Sequence, residues 1–249
     1  MNFTQRECVI LTHDTQTLYQ HGTLALLVPG LLAGTQTVGE LMHHGDTGIG
    51  TLTGLNGELI MRAGHVYQVN ADGAVREVDA DERVPFANVH FQDDHQVATL
   101  TGLDYAALCD QIAAAVGTQN IFYAVRLVGT FAHVQTRAVR GRTTPPFATL
   151  AATAATQSIF NAEHVEGTLS GYYSPALYGG ATSPGFHLHF LSADRQFGGH
   201  VLDAQVGNAT LFIQEFSDFQ LHLPTTDASF RQEQFDTAQV LRDINQAEH

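Results

Sequence analysis

The chain has 249 residues, 25 acidic against 11 basic, for a formal charge of −14, and 44% of it is apolar. That length and apolar content allow one large domain or two small ones around a real core. The acid excess argues against nucleic acid or an anionic membrane as a partner, because both need clustered Lys and Arg.

No long apolar run follows a basic start, so no signal peptide is expected. Residues 23–33 are apolar but too short to span a bilayer, and they contain Pro29-Gly30. Two cysteines, Cys8 and Cys109, cannot form a disulfide framework and read as free thiols of a reducing cytoplasm.

In chain order, residues 1–21 are polar and read as an N-terminal extension, and 22–42 as helical and turn segments. Gly45-Asp46-Thr47-Gly48-Ile49-Gly50 is a turn-dense loop opening a strand region, with Asn56-Gly57 as a hairpin turn and strands at 58–61 and 65–69. A turn at Ala71-Asp72-Gly73 follows. Residues 97–100 read as a strand and 103–116 as a helix with Asp104 near its start. Residues 121–128 and 130–137, either side of Gly129, read together as a hairpin. Pro145-Pro146 breaks strand and helix alike and is taken as the boundary between lobes at 22–145 and 146–249. Strand-like pieces recur at 165–173, 185–191, 200–205, 209–216 and 220–223, before a helical tail from 236. The fold class is α/β (α+β), with mixed or mostly antiparallel sheet and few helices.

The most informative segment is Phe186-His187-Leu188-His189-Phe190, followed by Gly198-Gly199-His200. On a strand His187 and His189 share a face, about 7 Å apart at Cα, while Leu188 points into a core. A return strand brings His200 opposite or diagonal to His189, with the two glycines allowing close backbone approach. Three neutral imidazoles suit a borderline-soft divalent ion such as Zn²⁺ and leave coordination positions open. The same pattern also fits three polar residues on a solvated strand face. The spacing of Glu58, Arg137 and Glu248 does not separate site roles from a surface carboxylate, a loop charge and a frayed terminus. Arg137, Arg140 and Arg142 fall within six positions, however, and an arginine fork can hold a carboxylate.

Several separated segments together resemble the α-acetolactate decarboxylases. They are His44-Gly45-Asp46-Thr47-Gly48-Ile49-Gly50-Thr51, Leu55-Asn56-Gly57-Glu58-Leu59-Ile60, Phe122-Tyr123-Ala124-Val125-Arg126, Thr136-Arg137-Ala138-Val139, Gly167-Thr168-Leu169-Ser170-Gly171-Tyr172, and the stretch from Gly185 through Asp203. The resemblance implies two β-rich lobes, one a mixed sheet and one an antiparallel barrel-like sheet. It implies His187, His189 and His200 as metal ligands for Zn²⁺, Glu58 as a carboxylate at the metal, Arg137 as the active-site arginine, and Glu248 returned to the site by the C-terminal tail. It further implies a cytoplasmic homodimer converting 2-acetolactate to acetoin and CO₂ through a zinc-stabilised enediolate, in acetoin and butanediol biosynthesis. The chain departs from the family pattern at Thr47, at Thr53-Gly54, where Asn-Glu is common, and at Gly141-Arg142. Two other readings stay open: a different His-x-His metalloenzyme such as a cupin-like oxygenase, and a non-catalytic metal- or ligand-binding module.

Overall fold

The computed structural model describes residues 13–248, with side chains of the last helix described through Ile244. The first strands are β1 (Thr17–His21), β2 (Gln36–Thr37), β3 (Thr47–Thr51), β4 (Glu58–Arg62), β5 (His65–Val69), β6 (Val75–Glu77), β7 (Arg83–Val84) and β8 (Phe86–His90). Then come β9 (His95–Thr101), β10 (Phe122–Ala138), β11 (Ser158–Ser174), β12 (Gly185–Ser192), β13 (Gly198–Phe216) and β14 (Asp218–His222). The α-helices are α1 (Leu24–Leu27), α2 (Val38–Leu41), α3 (Tyr105–Val116), α4 (Leu150–Ala154), α5 (Ala228–Gln232) and α6 (Thr237–Glu248).

One sheet runs β14-β1-β8-β3-β4-β5-β6. It is mixed, because β1 lies parallel to β14 and antiparallel to β8. The second sheet runs β10-β11-β12-β13-β9, and β10 also pairs with β13, which closes β10 to β13 into an antiparallel barrel. Closure leaves one face of each strand for the barrel core, filled by Leu127, Phe131, Val134, Leu169, Leu188, Phe190, Val201 and Leu211. The outer face meets the first sheet. Ile60, Tyr67 and Val69 pack there on Ala138 and Leu191, and Leu18 and Ile49 on Phe122, Tyr172 and Phe216.

Local chemistry explains the helix ends. Asp104 caps α3 by accepting from the Ala107 amide at 2.8 Å, and Gly117 closes it at φ 75°. Thr37 and Glu40 form a reciprocal capping box on α2. Val240 and Ile244 of α6 pack on Leu24, Leu27 and Leu150, which holds the tail beside α1 and α4.

Three expectations need correction. Residues 121–137 are not a hairpin but one 17-residue strand, β10, along which β13 runs antiparallel. Gly129 is no turn; a Cβ there would lie 2.2 Å from the Asn208 carbonyl oxygen, so its lack of a side chain serves close strand approach. Residues 17–21 belong to no loose extension, since β1 is a buried inner strand; residues 1–12, with Cys8, lie outside the described residues. Pro145-Pro146 falls between β10 and β11, neighbours in one sheet, whereas the two sheets themselves draw on residues 17–90 with 218–222 and on 95–216.

Candidate metal centre and active site

Strand alternation on β12 sends Leu188 and Phe190 into the barrel core and leaves His187 and His189 on the outer face. In the sheet register Arg137 of β10 is opposite His200 of β13, and His200 is opposite His189 of β12. Three strands thus place an arginine and two histidines in one row, with His187 one step along. The three imidazole centroids are 5.2, 4.9 and 5.5 Å apart, and one ligand nitrogen from each lies within 4.8 Å of the others.

This convergence requires Gly199. Its φ is 130°, and a Cβ there would come within 2.6 Å of the Arg137 carbonyl oxygen. Any side chain would push β13 off β10 and separate His200 from Arg137.

The first sheet supplies the other wall. Glu58 opens β4, 8% exposed, and its Oε2 lies 3.6 Å from His189 Nε2. His189 Nδ1 is 2.8 Å from the Leu59 carbonyl oxygen, which can only accept, so Nδ1 carries the proton and donates it. The tautomer is then fixed with the Nε2 lone pair facing the other histidines and Glu58. Two electron-pair donors held 3.6 Å apart in a buried setting suit a shared cation. The donor set of three imidazoles with a carboxylate beside them therefore fits a metal ion.

Glu58, Arg137, His187 and His200 line one cleft of about 480 Å³, partly open to solvent. Its remaining wall is mostly apolar, from Leu24, Leu27, Leu55, Phe86 and Leu150. His189 lies behind it, 1% exposed. Arg137 is 5% exposed, with Gln157 Oε1 3.4 Å from a guanidinium nitrogen. The other two arginines of the cluster are loop charges: Arg140 pairs with Asp72 at the surface, and Arg142 donates to the Pro146 carbonyl. Glu248 is the last residue of α6, and its side chain lies outside the described residues.

Gly54, Gly141 and Arg142 sit against one another. The Arg142 amide donates to the Gly54 carbonyl at 3.2 Å, and a Cβ on Gly54 would lie 1.5 Å from the Arg142 carbonyl oxygen. A side chain at 54 is incompatible with this loop path.

Sequence reasoning missed the Leu59 carbonyl, because a backbone acceptor leaves no residue signature. It also missed the apolar wall from α1 and α4, whose leucines look like ordinary core. His90 is buried against the Tyr172 hydroxyl at 2.7 Å, and burial lowers its pKa to about 4. Cys109 is a free thiol that burial pushes up to about 11.

A family model described as alpha-acetolactate decarboxylase matches residues 18–237. The alpha-acetolactate decarboxylase of Lactococcus lactis subsp. lactis is 35% identical over 243 residues, covering 96% of this chain and 100% of that one. The crystal structure of alpha-acetolactate decarboxylase from Bacillus subtilis strain 168 superposes with a TM-score of 0.88 at 32% identity, over 93% of this chain and 99% of that one. A Staphylococcus aureus crystal structure, described as a protein of unknown function similar to alpha-acetolactate decarboxylase, gives a TM-score of 0.90 at 37% identity, over 93% and 100%. With the fold, most of the length and the family model in agreement, the chain belongs to the alpha-acetolactate decarboxylase family of enzymes.

Proposed function

We propose that this chain decarboxylates 2-acetolactate (2-hydroxy-2-methyl-3-oxobutanoate) to acetoin and CO₂. The observation that carries the reading is one cleft walled by His187, His200, Glu58 and Arg137, with His189 locked behind it. His187, His189 and His200 would hold a divalent ion, for which zinc is our assignment. When bound, such an ion supplies a fixed positive charge that polarises the substrate's hydroxyl and ketone oxygens and stabilises negative charge building on them.

Arg137 has the donors to hold the substrate carboxylate by two parallel hydrogen bonds. That carboxylate leaves as neutral CO₂, so the arginine's contribution is orientation of the breaking bond rather than tighter binding at the transition state. The bond from the carboxylate carbon to the hydroxyl-bearing carbon breaks, and its electron pair passes toward the neighbouring ketone oxygen. The hydroxyl-bearing carbon then takes one proton, which completes acetoin. Glu58 stands at the cleft to deliver it, and Glu248 is the second candidate if α6 carries it back. The leucine and phenylalanine wall would receive the substrate's two methyl groups and shield that side of the cleft from water.

The wider setting we propose is a cytoplasmic homodimer acting in acetoin and butanediol formation, with dimerisation resting on the prevalence of symmetric pairs. The test is acetoin formation from 2-acetolactate before and after chelation, and again after zinc addition. Turnover that vanishes on chelation and returns with zinc supports the reading; no acetoin from the metal-loaded chain rejects it.

A further inference from the structure

The interface between the two sheets ends, away from the cleft, in a solvent-open recess of about 640 Å³. Arg62, His65, Tyr67, Leu191, Ser192 and Arg195 line it. Arg62 and Glu58 stand at opposite ends of β4, roughly 13 Å apart by strand rise, so recess and cleft are separate. Each sheet contributes one guanidinium: Arg62 closes β4, and Arg195 lies between β12 and β13.

Among the described residues neither guanidinium is matched by a carboxylate. By contrast Arg126 pairs with Asp94, Arg76 with Glu82 and Arg140 with Asp72. Arg62 instead donates to Thr168 Oγ1 at 2.8 Å, and Arg195 sits over the Tyr67 ring, 4.9 Å from its centroid. Burial, then the charges of Arg126 and Arg195, lower the Arg62 pKa. Two carboxylates adjoin the recess lining and hold partners other than the guanidiniums: Glu77 with His65 Nδ1 at 2.7 Å, and Asp194 with the Ser192 hydroxyl at 2.6 Å. Tyr67 is only 5% exposed, and its hydroxyl has no hydrogen-bond partner among the described residues. Arg195 holds φ 59°, a costly backbone for a residue with a side chain. In a chain of charge −14, two unopposed guanidiniums beside an orphan hydroxyl call for an anion.

We propose that this recess binds a phosphate-type dianion, as free phosphate or as the phosphoryl group of a small molecule, clamped between Arg62 and Arg195 with the Tyr67 hydroxyl as a further donor. Guanidinium forks match phosphate oxygens in geometry and charge. A ligand bridging the two sheets stabilises their packing by mass action.

The experiment is calorimetric titration and thermal unfolding of the metal-loaded full chain at constant ionic strength, with phosphate, glycerol phosphate and chloride as probes. Saturable binding and a rise in Tm are expected with phosphate or its ester and not with chloride. Tighter binding of phosphate assigns the free ion, and tighter binding of glycerol phosphate a phosphoryl group. Arg195→Gln is expected to weaken the tighter probe about tenfold or more. Tyr67→Phe, which removes one oxygen and little else, weakens it less. Acetoin formation without phosphate stays unchanged in both variants. Equal affinity in wild type and Arg195→Gln overturns the proposal, as does a chloride response matching phosphate. Binding lost in His189→Ala but kept in Arg195→Gln also overturns it, since the anion then occupies the cleft.

Discussion

His189 of the barrel donates from Nδ1 to the carbonyl oxygen of Leu59 in the opposing sheet, at 2.8 Å. One hydrogen bond thus orients the most buried histidine of the cluster and fixes the neighbouring Glu58 relative to it. The candidate site is a product of sheet packing, because neither sheet alone holds both the histidines and the carboxylate.

Replacing His189 by alanine removes one imidazole and that inter-sheet bond. We expect metal content to fall with activity, and turnover to drop about 1000-fold or more, the scale of a lost Lewis acid. Metal analysis by emission spectroscopy beside an acetoin assay checks this; an active, metal-free variant removes His189 from the ligand set.

Arg137→Gln keeps the histidines and takes away the fork. The expected variant retains its metal but loses about 100-fold in kcat/KM through misplaced substrate. Unchanged kinetics in a metal-replete variant would contradict the positioning role.

Two variants separate the roles of Glu58 and Glu248. Glu58→Gln is expected to slow turnover about 100-fold or more while substrate still binds. Removing the last two residues is expected to lower turnover sharply as well; wild-type rates in the truncated chain place Glu248 outside the site.

Gly199→Ala tests the close strand approach. The new Cβ meets the Arg137 carbonyl oxygen at 2.6 Å in a φ 130° backbone. Strain and displacement together should cost about 2 kcal/mol or more of stability. Urea unfolding reads this directly, and a midpoint equal to wild type would show that β13 can shift freely.

His90 gives a pH dependence. Its pKa falls from 6.5 to about 4 on folding, chiefly through burial. The unfolded chain therefore takes up this proton first as pH drops, and stability is lost between pH 6.5 and 4. Linkage gives a contribution of about 2 kcal/mol lost between pH 7 and pH 5. Denaturant unfolding at both pH values measures the difference, which should shrink in His90→Gln even though that variant is weaker overall.

Much of the site was legible because its signals are local. Strand alternation in residues 185–191 was enough to set His187 and His189 on one face with Leu188 in the core. The glycines before His200 announced a close approach, which Gly199 makes against β10. Asp104 near the start of a helical pattern over 103–116 defined α3 almost to its ends, and the family motifs covered most of the chain.

The rest depended on pairings between residues far apart in the chain. The alternating run around Gly129 reads the same whether it folds on itself or continues, and only the long antiparallel partners β11 and β13 decide that β10 stays one strand. Thr17–His21 is polar enough to look like an extension until β8 and β14 flank it and bury it. Sequence fixes which side of its own strand a residue faces, since that follows from backbone pleat. Which strand lies opposite, and so which carboxylate and which carbonyl meet His189, is decided by the packing of two sheets, a property of the whole chain.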